Sequence, residues 1–160
     1  IIINGKLFQG SHFQAGELTF LLPLQMEKLD PSLMQETTLS AIGLITKVNE
    51  ILASLDLKDG LLAFKAINAK KEAVYPIFET YCRNLAITIL NLQTIFDMET
   101  FVLGGGISAQ SILIEEVNRQ FDKVHHEIDF IGKIIKRPKI VACHHNGTNL
   151  IGAAYFLKQG

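Results

Sequence analysis

The stretch Phe101-Val102-Leu103-Gly104-Gly105-Gly106-Ile107-Ser108 decides the fold of this chain. Three apolar residues form a short buried strand. The glycines after it make a turn in which the backbone can approach a ligand with no Cβ in the way. A helix is predicted over 111–128, where Ile114, Val117, Phe121 and Val124 recur at helical spacing, and 139–143 reads as the next strand. Strand, helix and strand in that order predict a parallel pair joined by a right-handed crossover. Beyond it, 144–149 reads as a loop and 150–157 as a small-residue helix containing Gly152-Ala153-Ala154.

Upstream of the glycines the period is helical for a long way. Val74, Ile77, Phe78, Tyr81, Leu85, Ile89, Leu92 and Phe96 line one side of a helix predicted over 71–96, with Pro76 in its first turns, where a missing N–H is tolerated. Asp59 is placed to cap a short helix over 61–69. Leu39, Ile42, Ile45, Val48, Leu52 and Leu55 follow helical spacing behind Thr37 or Thr38 as N-cap, and Pro23 and Pro31 bracket an irregular stretch. At the amino-terminal end, Ile1 to Ile3, Asn4-Gly5 and Lys6 to Phe8 read as a hairpin, since Asn-Gly suits the positive φ of both central residues of a type I′ turn. A glycine-bounded loop over 10–16 then leads to Glu17, expected at a loop-to-strand junction.

Composition bounds the function classes. The 160 residues suffice for one domain with a hydrophobic core, and 48% apolar with 19% charged residues excludes a disordered chain. A formal charge of −1 leaves no basic footprint, so no nucleic acid is expected to bind through this segment. The uncharged run 84–96 extends only about 20 Å as a helix, short of the roughly 30 Å hydrocarbon core, and reads as a buried helix; no membrane association is expected. Cys82 and Cys143 have no CxxC partner and are expected as free thiols in a reducing compartment, the cytoplasm. The start at Ile1-Ile2-Ile3, with neither an initiator Met nor a signal pattern, is read as a segment of a longer polypeptide.

Few features could carry chemistry. The glycine triplet suits contact with a phosphate or a nucleoside, or is simply a tight strand-to-helix turn. Gly104-x-Gly106-x-x-Ala109 also meets the loose dinucleotide pattern, but that reading wants an acidic residue about twenty positions on, at the end of a second strand. Position 124 is a valine inside a predicted helix, so the pattern does not fit. Glu17 is a candidate for accepting two sugar hydroxyls, or is a solvated surface carboxylate. His12 lies in the same loop. Cys143-His144-His145 and His125-His126 are metal candidates on composition only, because adjacent side chains diverge and no zinc-finger spacing supports them, and no metal is expected. No nucleophile–base pair and no phosphate loop ending in Gly-Lys-Ser/Thr is present.

Taken in order, Ile3-Asn4-Gly5-Lys6-Leu7, Gly10, Ala15-Gly16-Glu17, Val102-Leu103-Gly104-Gly105-Gly106-Ile107-Ser108 and Leu150-Ile151-Gly152-Ala153-Ala154 resemble the ROK family of sugar kinases and transcriptional repressors. The resemblance covers the whole chain. It implies an α/β, actin-like and hexokinase-like ATPase fold (ribonuclease H-like), with residues 1–160 as the carboxy-terminal lobe, a mixed sheet and flanking helices. It implies that Glu17 contacts sugar hydroxyls, that Gly104, Gly105 and Gly106 line an ATP site served by Mg2+, and that the catalytic Asp base lies upstream, so that this segment holds no catalytic residue. The family's His three positions after the Glu is replaced by Phe20, and no cysteine follows until Cys82, so the family's zinc segment is missing and no zinc is expected. The zinc-less form is similar to bacterial β-glucoside and N-acetylmannosamine kinases. The expectation is thus part of an ATP-dependent kinase of a hexose, amino sugar or β-glucoside, working as a homodimer. The alternative is the ligand-sensing domain of a sugar-responsive repressor.

Overall fold

A computed structural model describes residues 1–21, 39–127, 129–145 and 148–159. In chain order the elements are β1 (Ile2–Ile3), β2 (Lys6–Leu7), a 3-10 turn (Leu18–Phe20), α1 (Ala41–Ile51), α2 (Gly60–Asn68) and α3 (Tyr75–Phe96). They continue with β3 (Thr100–Leu103), α4 (Ser111–Glu127), α5 (Asp129–Ile134), β4 (Lys139–Ala142) and α6 (Thr148–Gln159). β1 and β2 pair antiparallel, Ile2 opposite Leu7, around Asn4 and Gly5 at φ +52° and +73°, the signature of the expected type I′ turn. β3 and β4 pair parallel, from Thr100 opposite Lys139 to Leu103 opposite Ala142, with α4 in the connection.

The core is a helical layer laid on one face of that pair. Phe78, Cys82, Ala86 and Ile89 of α3 meet Leu113, Val117 and Phe121 of α4, with Val48 and Ile67 completing it from α1 and α2. Ile140 is buried under these helices while Val102 and Val141, on the other face of the strands, stay open. This alternation is the period-2 pattern of a strand pair covered on one side. Polar clips set the register. Gln93 is buried, donating from Nε2 to the Lys136 carbonyl (3.2 Å) and accepting from the Met98 N–H (2.9 Å). Arg137 donates to Asp122 (Nε–Oδ1, 2.6 Å) and Asn118 (2.8 Å), and Asn118 donates to the Ile140 carbonyl (3.1 Å). Together they lock α4 to the strand that it feeds.

Several boundaries shift from the sequence reading. Asp59 does cap α2, accepting from the Leu62 N–H at 3.0 Å. α1, however, is capped by Ser40, whose Oγ accepts from the Gly43 N–H at 3.1 Å, and Thr37, Thr38, Pro23 and Pro31 lie outside the described residues. The stripe read for α1 holds in part: Val48 is buried and Ile45 and Leu52 pack against the core, but Leu44 joins them, whereas Ile42 and Leu55, the latter past the end of the helix, are exposed. α3 starts at Tyr75 with Pro76 in its first turn, four residues later than expected, because 71–74 form a separate turn in which the Val74 and Tyr75 N–H groups both reach the Lys71 carbonyl. The helix expected over 111–128 ends at Glu127, and the short α5 after it was not anticipated.

Candidate functional site

β3 ends at Leu103, and the chain leaves it through Gly104, Gly105 and Gly106, all exposed. Gly105 has φ +95°, a conformation that side chains rarely adopt, so here glycine is required by the backbone itself. The turn is closed by Ser108, which donates to the Gly105 carbonyl from both its N–H (3.1 Å) and its Oγ (2.8 Å). Among the described residues the Gly105 and Gly106 N–H groups have no acceptor. A Cβ built on Gly106 meets nothing within 4 Å, and one on Gly104 meets only the Cys143 Cβ at 4.0 Å. The arrangement leaves two backbone donors at the carboxyl end of a parallel strand, free of side-chain bulk. Open α/β sheets bind ligands at that end, and N–H groups of this kind suit phosphate oxygens.

Between the α2–α3 connection and the first turns of α4 lies a cavity of about 580 Å³. Its walls come from the α2–α3 connection (Asn68, Lys70), the start of α3 (Tyr75, Glu79) and the first turns of α4 (Ser111, Ile112, Glu115, Glu116, Arg119). Glu116 is the centre of its polar network and is 3% exposed. It accepts from Tyr75 Oη (3.1 Å), from Arg119 through Nε (2.8 Å) and Nη2 (2.5 Å), and from Gln120 Nε2 (2.7 Å). Glu79 accepts from the same Nη2. Burial pushes the Glu116 carboxyl up, but the hydrogen bonds from Arg119, Gln120 and Tyr75 and the Arg119 charge outweigh it, and the net shift is downward. The Tyr75 hydroxyl is pushed up to about 12 by burial and then by the Glu116 charge beside it. Arg119 is held above its ordinary value, chiefly by its hydrogen bonds to Glu116. Sequence reading missed this cluster because Tyr75 and Glu116 are 41 positions apart. The one available signal was a carboxylate at 116 next to the core-facing Val117.

Glu17 sits in a different setting. Gly16 at φ +90° turns the chain, and Glu17 then leads into the 3-10 turn Leu18–Phe20 and not into a strand. The reason is local: the Leu18 N–H bonds the Gly16 carbonyl and the Leu21 N–H bonds the Leu18 carbonyl, a tight coil in place of a ladder. Glu17 and Phe20 are exposed, as is His12. The glycine triplet is thus one continuous turn, while Glu17 belongs to the amino-terminal segment. His125 and His126 are structural: His125 is buried and donates from Nε2 to the Ile135 carbonyl (2.7 Å), and His126 donates from Nδ1 to the Asp122 carbonyl (2.6 Å). Among the described residues no group of three or more His, Cys, Asp or Glu is placed to hold a metal, and no helix is long and apolar enough to cross a membrane.

No curated protein sequence matches the chain. Among solved structures, a ROK family protein from Streptococcus pneumoniae TIGR4, in complex with sucrose, superposes with a TM-score of 0.78 at 27% identity over 99% of this chain and 55% of its own. A ROK family glucokinase from Streptomyces griseus, in complex with glucose and AMPPNP, superposes at 0.80 with 18% identity, over 99% and 56%. ROK hexokinase from Thermus thermophilus does so at 0.73 with 18% identity, over 99% and 54%. The fold is therefore the hexokinase-like, actin-type fold, and the chain spans little more than half the length of these neighbours. The ROK family model matches residues 1–160, end to end, and the chain belongs to the ROK family.

Proposed function

We propose that this segment is the nucleotide-side lobe of an ATP-dependent sugar kinase, the turn Gly104-Gly105-Gly106 receiving phosphate or ribose oxygens and Glu17 accepting hydroxyls of a hexose, amino sugar or β-glucoside. The observation that carries the reading is the glycine turn, whose Gly105 and Gly106 N–H groups have no acceptor among the described residues, at the end of a parallel strand. Its support outside the chain is a family neighbour that binds glucose and AMPPNP. Phosphoryl transfer needs positioning and charge stabilisation from both sides of a cleft, so the general base and the remaining phosphate contacts are assigned to residues outside this segment. The glycine turn fits phosphate oxygens and has no carboxylate of its own. Mg2+ would accordingly be held by the phosphates and by carboxylates elsewhere, where it would offset phosphate charge. In this reading the protein has no zinc, acts in the cytoplasm and functions as a homodimer.

Gly106 is the position that tests it. A side chain there meets open space, and its φ lies outside the positive range, so Gly106→Val leaves the fold intact while projecting into the phosphate approach. In the full-length enzyme, assayed by coupled ADP release over a hexose panel, the variant is expected to raise the KM for ATP about tenfold. The KM for sugar and the thermal melt should stay at the wild-type level. An unchanged ATP constant in this variant removes the nucleotide from the turn.

A further inference from the structure

We infer that Ser108 is a positioning residue for the nucleotide, its buried hydroxyl clamping the Gly105 carbonyl so that the Gly106 N–H of the same peptide is held pointing outward at the ligand; this rests on the nucleotide reading of the turn.

The peptide between Gly105 and Gly106 carries one acceptor and one donor, and in a trans peptide these point in opposite directions across a rigid plane. Fixing one therefore aims the other. The acceptor is fixed twice. The Ser108 N–H donates to it at 3.1 Å, closing a turn over 105–108, and the Ser108 Oγ donates to it again at 2.8 Å. The donor, the Gly106 N–H, has no acceptor among the described residues, and Gly106 is exposed with open space where a side chain would stand. One hydrogen bond is enough to close the turn, so closure does not account for the hydroxyl. A second donor on the same oxygen stops the peptide plane from pivoting about the first bond. That constraint matters because both residues flanking the plane are glycines, which resist rotation least.

Ser108 is well anchored for the task. It is 7% exposed, and a hydroxyl buried to that extent is costly unless it is bonded, as it is here to the Gly105 carbonyl. On one side Ile107 packs against the core. On the other the chain coils directly into α4, the Gln110 N–H bonding the Ile107 carbonyl (3.1 Å) and the Leu113 N–H bonding the Gln110 carbonyl (3.0 Å). The clamp thus ties the outward N–H to the packed helix layer. A donor fixed before the ligand arrives need not be reoriented when it binds, which is the gain of preorganisation. Without the hydroxyl the turn still closes, but each ligand must order the peptide for itself.

The test is made on the full-length enzyme. Ser108→Ala is expected to raise the KM for ATP and to weaken ADP in calorimetry about fivefold, the worth of one neutral hydrogen bond, with no matching rise in the KM for sugar. Ser108→Thr restores the hydroxyl and should bring both constants back toward wild type. Ser108→Cys keeps the size with a weak donor and should fall between; set against Ser108→Thr, it carries the comparison if the alanine variant folds poorly. A second readout needs no nucleotide. By NMR relaxation on ligand-free protein labelled at its glycine nitrogens, the Gly106 amide should be rigid in wild type and Ser108→Thr and gain fast motion in Ser108→Ala. Wild-type ATP and ADP constants in Ser108→Ala, beside a raised ATP constant in Gly106→Val, overturn the inference and leave the nucleotide on the turn. ATP and sugar constants that rise together in Ser108→Ala, with a lowered melt, mark a merely structural serine and overturn it too, as do Cys and Thr variants that behave alike. If Gly106→Val leaves the ATP constant unchanged, the nucleotide reading itself fails. The Gly106 amide then still reports on the clamp: loosening in Ser108→Ala supports it, and equal rigidity overturns it.

Discussion

At Glu116, burial and hydrogen bonding pull in opposite directions, and the hydrogen bonds prevail, so the folded-state pKa lies below the unfolded one. The sign follows: the carboxylate contributes stability that is complete above its unfolded pKa, about 4.3, and is lost as pH falls toward the folded value. Replacing it by Gln removes the charge but keeps the size, leaving Arg119 with Glu79 alone. Glu116→Gln is expected to cost about 1–3 kcal/mol at neutral pH and to flatten the acid limb of the stability curve, read from urea unfolding across a pH series. Equal acid limbs in the two proteins would mean that Glu116 is not the group that titrates. Tyr75 acts at the other end of the scale. Its hydroxyl is raised to about 12, so its neutral form contributes stability that is present below about pH 10 and lost as pH rises through 12.

At the scale of the element, α1 shows how far a sequence pattern reaches. Helical spacing is present and the helix is real, but the segment is apolar at both 42 and 44, and periodicity alone cannot say which of two overlapping stripes turns inward. The partners decide. Leu44 and Val48 pack against α2 and α3, and Asn49, fully buried, donates to the Leu57 and Asp59 carbonyls, pinning the loop that starts α2. On the 160-residue chain Leu44→Ala is expected to cost about 2–5 kcal/mol and Ile42→Ala no more than about 0.5. Chemical unfolding of the pair checks this, and comparable losses would mean that position 42 faces the core as position 44 does. The same limit explains the rest. The strand–glycine–helix–strand unit, the Asn4-Gly5 turn and the Asp59 cap were legible because each depends on residues adjacent in the chain. The Tyr75–Glu116–Arg119 cluster was not, because tertiary packing alone brings it together. Glu17 was placed before a strand because apolar residues follow it, and hydrogen bonding within the Gly16–Leu21 coil overrides that pattern.

For the whole molecule, burial is unevenly distributed. α3 and α4 hold most of the core, whereas β1, β2 and the segment up to Leu21 contain no buried residue among those described. The hairpin is closed by short-range bonds such as Phe8 N–H to the Ile1 carbonyl (2.9 Å), and a two-stranded hairpin alone is marginal in water. The parallel pair is similarly half-covered: Val102 is 59% and Val141 36% exposed on the face away from α3 and α4, where parallel strands in α/β proteins are normally covered on both sides. Family neighbours of nearly twice this length have further chain with which to cover such surfaces. Hydrogen exchange on the 160-residue chain is therefore expected to be slowest for amides near Ile89 and Val117, opening only with global unfolding, and fast for Ile3 and Leu7. In a chain that carries further residues such as the family neighbours have, the hairpin amides should slow by at least about tenfold while Ile89 and Val117 remain the slowest, since added packing raises the cost of local opening. Hairpin amides as slow as those of α3 in the 160-residue chain would show that the amino-terminal segment is already docked and needs no further chain to order it.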